Sequence, residues 1–361
     1  MISQALEADS DDDLDRARLR RHTRWWIGGL AVLLAVSVPV GVGVGPVYIA
    51  PMTVAKIIGY HLFGWPGHVS WSASADAIVE QVRMPRVFLG VVVGAGLAVT
   101  GTVLQAMVRN VLADPYLLGV TAGASTGAAA TILFGVGTVL GASSLTGSAF
   151  VGALASMAVV FALARMGGRV TAIRLLLAGV AVGYVLSAVT SFMIFTSDSE
   201  QGARNVLFWL LGSLTLAVWS AVAIAGAVVV AATVLLLLWS RRLDALAIGD
   251  ETARALGVSP TRVRTQLLVV VSLCVGSVVA VSGGIGFVGL VVPHIARLCV
   301  GGAHRRVIPA AALIGAAFLV WADAFARVAF APSELPLGIV TAVVGAPMLL
   351  ILVRRFHAAQ S

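Results

Sequence analysis

The sequence predicts an all-α fold, a polytopic membrane protein with about ten transmembrane helices in inverted-repeat-like halves. Three observations lead there. Of 361 residues, 59% are hydrophobic and only 11% charged, where a soluble domain carries about 25% charged residues. That leaves too little polar surface for a water-soluble globule, whereas lipid can solvate an apolar exterior; mean hydropathy is +1.01. Apolar runs near the length needed to cross hydrocarbon, about 20 residues, recur along the chain. Basic residues gather at the ends of those runs, the pattern of membrane orientation rather than of phosphate tracking, so the net charge of +8 does not imply a nucleic-acid partner.

The elements follow in chain order. Residues 1–24 read as a cytosolic tail, with Asp9, Asp11, Asp12, Asp13 and Asp15 ahead of Arg16, Arg18, Arg20, Arg21 and Arg24. The run from Trp25 to Val44 is too long for a signal h-region and lacks a small-residue cleavage site, so it reads as the first span. Residues 25–361 then form one transmembrane domain. Its runs lie near 25–45, 87–108, 117–135, 147–165, 172–196, 218–239, 265–282, 284–300, 307–325 and 335–353. Glycines at 283, 284 and 286 either break one helix and start another or make a re-entrant turn.

Arginine placement orients the spans. With the N-terminus in the cytoplasm, only Lys56, Arg83, Arg86, Arg204 and Arg327 of the 24 basic residues fall outside. The inner loops, including Arg109, Arg165, Arg169 and Arg174, take the rest, as the positive-inside rule requires. Two hydrophilic segments exceed a turn. Residues 46–85, outside, contain Trp65, Trp71, Asp76 and Glu80 and read as holding an interfacial helix. Residues 240–264, inside, carry Leu243, Leu246, Ala247, Ala253 and Leu256 at helical spacing, with Gly249 and Gly257 as helix ends. They predict two short amphipathic helices under the membrane, offered to a cytosolic partner.

Small residues at four-residue spacing (Gly119, Gly123 and Gly127; Gly90 and Gly94) predict closely packed spans. Ala98-Val-Thr-Gly101 echoes Ala280-Val-Ser-Gly283 in a span of opposite direction, a short hint of an inverted repeat. Cys274 and Cys299 lie in or beside apolar runs and read as small core residues.

Several chemistries are disfavoured. The chain has no G-x-x-x-x-G-K-[ST] loop, and its single lysine, Lys56, is external, so an ATP-driven process needs its motor in another chain. No metal cluster or cofactor is expected. Asp114, His294 and Asp323 are the intramembrane candidates for ionisable groups, and all sit near span ends. A proton- or sodium-driven exporter would place such groups at mid-membrane. A membrane scaffold or sensor without transport is the other rival.

Arg83-Met-Pro-Arg86, Gly94-Ala-Gly-Leu-Ala98, Arg109-Asn-Val-Leu-Ala-Asp-Pro-Tyr-Leu-Leu-Gly-Val120, Arg174-Leu-Leu-Leu-Ala-Gly-Val180, Trp209-Leu-Leu-Gly-Ser213, Gly283-Gly-Ile-Gly-Phe-Val-Gly-Leu-Val-Val-Pro-His-Ile-Ala-Arg297, Ala322-Asp-Ala-Phe-Ala-Arg327 and Leu335-Pro-Leu-Gly-Ile-Val-Thr-Ala342 occur in order along most of the chain. Together they resemble the permease family of iron-chelate, haem and vitamin B12 ABC importers. The resemblance implies a multi-pass plasma-membrane (bacterial inner-membrane) permease with both termini cytoplasmic. Its partners would be a second permease subunit, two cytosolic ABC ATPase subunits and an external substrate-binding protein. It implies that Arg83, Arg86 and Arg327 receive carboxylates of that binding protein, a geometry that suits the arginine fork. It implies that Asn110, Leu112 and Thr171 belong to the inner gate. Asp244, Gly249, Asp250, Glu251, Leu256 and Gly257 would then couple to the ATPase. A ferric siderophore is the first expected cargo, then haem, then cobalamin.

Overall fold

The computed structural model describes residues 2–166 and 170–358; Arg169, counted above among the internal basic residues, lies outside them. In chain order the helices are α1 Ile2–Gly43, α2 Pro51–Phe63, α3 Ala73–Ala77, α4 Met84–Val108, α5 Val120–Phe134, α6 Ser144–Arg165, α7 Ala172–Phe195, α8 Glu200–Leu210, α9 Trp219–Leu238, α10 Ser240–Ile248, α11 Asp250–Ala255, α12 Pro260–Ser282, α13 Val288–Val300, α14 His304–Val328 and α15 Leu337–Ala358. No strand occurs among the described residues. Seven helical stretches are long and apolar enough to span a membrane, and α5, α13 and Leu337–Ile351 of α15 are shorter apolar helices. These are the ten elements the apolar runs predict.

Local chemistry sets the boundaries. Proline opens α2 and α12, where its missing N–H is not needed. The Thr171 and Ser199 side chains accept from the Arg174 and Gly202 amides and cap α7 and α8. Gly64 and Gly135 close α2 and α5 in the left-handed conformation.

Three features depart from the sequence reading. Helix α1 runs back to Ile2, so the segment expected as a separate tail continues the first span's helix. A π-helical turn, Ile78–Arg83, joins α3 to α4, so the external segment feeds straight into the second span. Helix α8 forms in a stretch whose apolar pattern predicts only an external connection.

Burial separates centre from periphery. In the most apolar window, 78% of residues are buried for 73–108 and 67% for α12 and for α14, against 22% for Arg21–Gly43 of α1, α7 and α9. Helices α4, α12 and α14 are therefore the core, and the others turn apolar side chains such as Tyr184, Phe192 and Phe195 outward. The core closes by backbone contact. A Cβ on Gly94 would overlap the Gly315 carbonyl, and one on Gly101 the Gly289 carbonyl. Gly123 meets Gly152 in the same way, as the small-residue spacing predicts.

The halves correspond. Helix α4 packs on α14 as α12 packs on α6. The α5–α6, α5–α7 and α6–α7 contacts recur as α13–α14, α13–α15 and α14–α15. Shifting each span by five converts one set into the other, the pairing of an inverted repeat.

The two α–α links at corresponding places, 109–119 and 283–287, meet inside the bundle. The Pro115 ring lies against Gly289, and the Ile285 amide donates to the Tyr116 hydroxyl. Irregular backbone at such depth needs internal partners, and Tyr116 supplies one. Of the two readings of the glycines at 283–286, the structure shows a break in which non-helical chain turns back into the bundle. Arg109 and Phe287, at φ 55° and 69°, are the non-glycine residues with positive φ among the described residues, one in each link.

Candidate functional site

Two charged clusters, at opposite ends of the core helices, organise the candidate site. The first joins the start of α4 to the end of α14. Arg86 donates from Nε to Asp323 Oδ1 at 2.9 Å and from Nη1 to both Glu334 oxygens at 3.0 and 2.9 Å. Thr215 Oγ1 adds a hydrogen bond to Glu334 Oε2 at 3.3 Å. Arg327 Nε stands 3.1 Å from Asp323 Oδ2. Its two other nitrogens donate to the Gly41 and Val44 carbonyls at 2.9 and 2.8 Å. Arg83 donates to the Val42 and Gly43 carbonyls at 3.3 and 3.1 Å and to that of Val47.

The structure sets the three arginines among internal partners. Arg83, Arg86 and Arg327 are buried, at 4, 5 and 3% exposure, and already bonded internally. Arg83 and Arg327 cap the C-terminal end of α1, where unpaired carbonyls and the helix dipole favour a cation. Neither presents a free fork to a partner. Arg86 alone holds a carboxylate that reaches the surface: the Glu334 side chain is 32% exposed, that of Asp323 only 1%.

The second cluster joins α10–α11 to the end of α4 and the starts of α12 and α14. Arg264, 1% exposed, places a bidentate fork on Asp250 at 2.8 and 2.7 Å. Its Nε donates to the Met107 carbonyl at 3.3 Å. Arg109 Nη2 lies 3.9 Å from Asp250. The hydrogen bond from Arg264 is the main reason the Asp250 carboxyl sits below its ordinary range. Asp244 accepts from the His304 amide at 3.0 Å and pairs with the ring Nδ1 at 2.6 Å, so α10 caps the start of α14. Burial pushes the Asp244 carboxyl up, but the His304 hydrogen bonds and the Arg306 charge outweigh it and leave it low.

The expected coupling residues therefore divide. Asp244 and Asp250 turn inward and are tied to the bundle. Glu251 and Leu256 are exposed, as is Ile248, which the sequence reading did not single out. Gly249 separates α10 from α11, and Gly257 follows α11, as the spacing predicts. Leu243, Leu246 and Ala253 are buried, but Ala247 faces out and Ala245 takes its expected place.

The gate candidates occupy two elements. Asn110 accepts the Leu112 amide at 2.9 Å, fixing a tight turn at the exit of α4, with Leu112 39% exposed. Thr171 caps α7, a structural task that accounts for its hydroxyl. Asp114 closes the same turn by accepting the Tyr116 amide at 2.9 Å. Gln105 links α4 to α13 by donating to the Leu290 carbonyl at 3.0 Å and accepting from Arg297 at 2.6 Å.

Sequence reasoning missed Glu334, Thr215, Arg264, His304 and Gln105 as site members. Asp250 and Arg264 lie within one hydrophilic stretch, so opposite charge fourteen residues apart was a usable signal. Arg86 and Glu334 are 248 residues apart, and nothing local joins them.

Comparison with known proteins supplies the family. The cobalamin import system permease protein of Halobacterium salinarum is 39% identical over 91% of this chain and 95% of its own. The hemin transport system permease protein of Yersinia pestis is 42% identical over 78% of this chain and 84% of its own. A solved inward-facing structure, assigned to the metal-chelate type of ABC transporters, matches at TM-score 0.78 and 30% identity. The match covers 91% of this chain and 98% of that one. The model of the FecCD transport family matches residues 33–355, so this multi-pass membrane chain belongs to the FecCD transport family.

Proposed function

We propose that this chain is the membrane-spanning subunit of a binding-protein-dependent ABC importer. It would move a ferric siderophore, haem or a related iron complex inward across the plasma membrane. The ATP would be hydrolysed by two separate cytosolic subunits, and the chain itself performs no covalent chemistry. Its partners are those ATPases, an external binding protein and a second permease subunit, a copy of this chain. Both termini lie in the cytoplasm, and residues 25–361 act as one permease domain.

The observation that carries the reading is the α10–α11 platform. Ile248, Glu251 and Leu256 project from it, at 69% exposure for Ile248 and 63% for Leu256, while Asp244 and Asp250 fasten its underside to the bundle. An exposed apolar and acidic surface so fastened suits a motor that must push on the membrane domain. At the other end, docking works by exchange: a carboxylate of the binding protein replaces Glu334 on Arg86, while Arg83 and Arg327 hold α1 in place. ATP closure then rocks the bundle and moves the turn at Asn110 and Leu112, with Thr171 at the start of α7 beside the exit.

Cobalamin is the second reading of the cargo, favoured by the named cargo of the Halobacterium relative. The test is uptake by vesicles holding the permease, its ATPases and its binding protein. Each receives ferric siderophore, haem and cobalamin in turn. ATP-dependent accumulation of one class is expected; absence of accumulation for all three would refute the importer.

A further inference from the structure

Arg264 has an unusual setting. It sits in the first turns of α12, buried at 1% exposure, near a helix N-terminus where the dipole disfavours a cation. Such a group persists only when its donors are satisfied and its charge is met. Its three bonds go to two other elements. The fork holds Asp250, the first residue of the platform helix α11. The Nε holds the carbonyl of Met107, one of the last four of α4, which have no partner within the helix. Two residues later Arg109 adopts the left-handed conformation, approaches the same carboxylate and starts the turn that carries Asn110 and Leu112.

We infer that Arg264 is the strut that transmits displacement of the platform helix α11 to the gate turn 109–114, joining Asp250 to the end of α4 through one planar guanidinium. This rests on the importer reading. The bidentate pair fixes both distance and angle, so α11 cannot tilt without moving the carboxylate, the guanidinium and the Met107 carbonyl together. A lysine would supply the charge but not the plane, and could not hold two oxygens and the carbonyl in one orientation. The Arg109 contact adds a second attachment to the same carboxylate. Arg264 touches no cargo and no nucleotide; it is a positioning residue.

The test uses the full transporter, permease with its ATPases, in lipid nanodiscs. A Leu112→Cys parent reports gate movement through its rate of labelling by a small thiol reagent, with and without ATP and vanadate. The parent is expected to show a nucleotide-dependent change in that rate. With Arg264→Lys, ATP hydrolysis should continue while the nucleotide-dependent change in labelling shrinks about tenfold, the upper part of the range for residues that carry coupling. The reciprocal pair Asp250→Arg with Arg264→Asp restores the ion pair but gives the Met107 carbonyl no donor, so the response should stay reduced.

A full labelling response in Arg264→Lys would overturn the strut. So would failure of both the lysine variant and the reciprocal pair to assemble with the ATPases, which would make the contact a purely structural tie. A parent that shows no nucleotide effect at all would strike the importer reading itself, and the strut with it.

Discussion

The Asp323 and Asp250 ion clusters use the same chemistry, arginine forks on carboxylates and backbone carbonyls, but differ in how far water reaches them. Asp323 is enclosed, its side chain 1% exposed between Arg86 and Arg327, whereas Asp250 is 26% exposed on the platform. An enclosed pair is costly to break and holds its elements fixed. A half-open pair keeps contact with water while its guanidinium stays buried. The difference suits the Asp323 cluster to anchoring α1, α4 and α14, whereas the proposed strut uses the Asp250 cluster for movement. Glu334 is the exception in the Asp323 cluster, since water can reach it.

The contrast stands or falls first on its two aspartates. Asp323→Asn leaves two buried guanidinium groups short of a negative charge and is expected to cost about 3–5 kcal/mol. Asp250→Asn, in contact with water, should cost less. Thermal unfolding of the two variants in detergent decides; equal losses would erase the distinction. Next, Gly101→Ala drives a methyl group into the Gly289 carbonyl and should cost about 1–3 kcal/mol. Gly302→Ala has open space around it and should leave the midpoint unchanged.

The pH response sharpens the contrast. The Asp250 carboxyl is held below its ordinary range, first by the Arg264 hydrogen bond, so its stabilising contribution is present above about pH 4 and is lost as pH falls further. Asp250→Asn should therefore unfold earlier than the parent at about pH 7, and the gap between them should narrow below about pH 3. A gap independent of pH would place the effect elsewhere.

A loss smaller than that of Gly101→Ala is expected for Glu334→Gln. Its ion pair is partly exposed and should cost less than about 1 kcal/mol, while binding-protein affinity should rise because Arg86 loses its competing charge. Unchanged or weaker affinity, measured on the complete permease in nanodiscs, would remove the exchange step.

The ten apolar helices were legible because lipid demands long apolar runs, and glycine and proline punctuated them. Helix α8 was not. Glu200, Gln201, Arg204 and Asn205 give it the polarity of a loop, and only Gly202 and Val206 of its residues are buried. Ser199 as a capping residue before Glu200 was the available signal. The site was legible as a set of residues but not as a set of partners. The motif places Arg83, Arg86 and Arg327 at one face of the membrane, yet burial depends on which helices pack beside them, and that is fixed by contacts hundreds of residues apart. The platform fared better because its helices and their glycine ends are local features. Which acids point inward still depended on the bundle beneath.

The glycine seam has a mechanical consequence. Where Gly94 of α4 meets Gly315 of α14, main chain rests on main chain with no side chains between to deform, and Gly101 meets Gly289 of α13 in the same way. Such a joint has no lubricating layer, so sliding α4 along α14 would drive bulkier neighbours into the same narrow gap. Shear is closed to this pair. The two helices must swing as one beam, and any rearrangement of the bundle has to be taken up at their ends and at the thinner contacts of the peripheral spans.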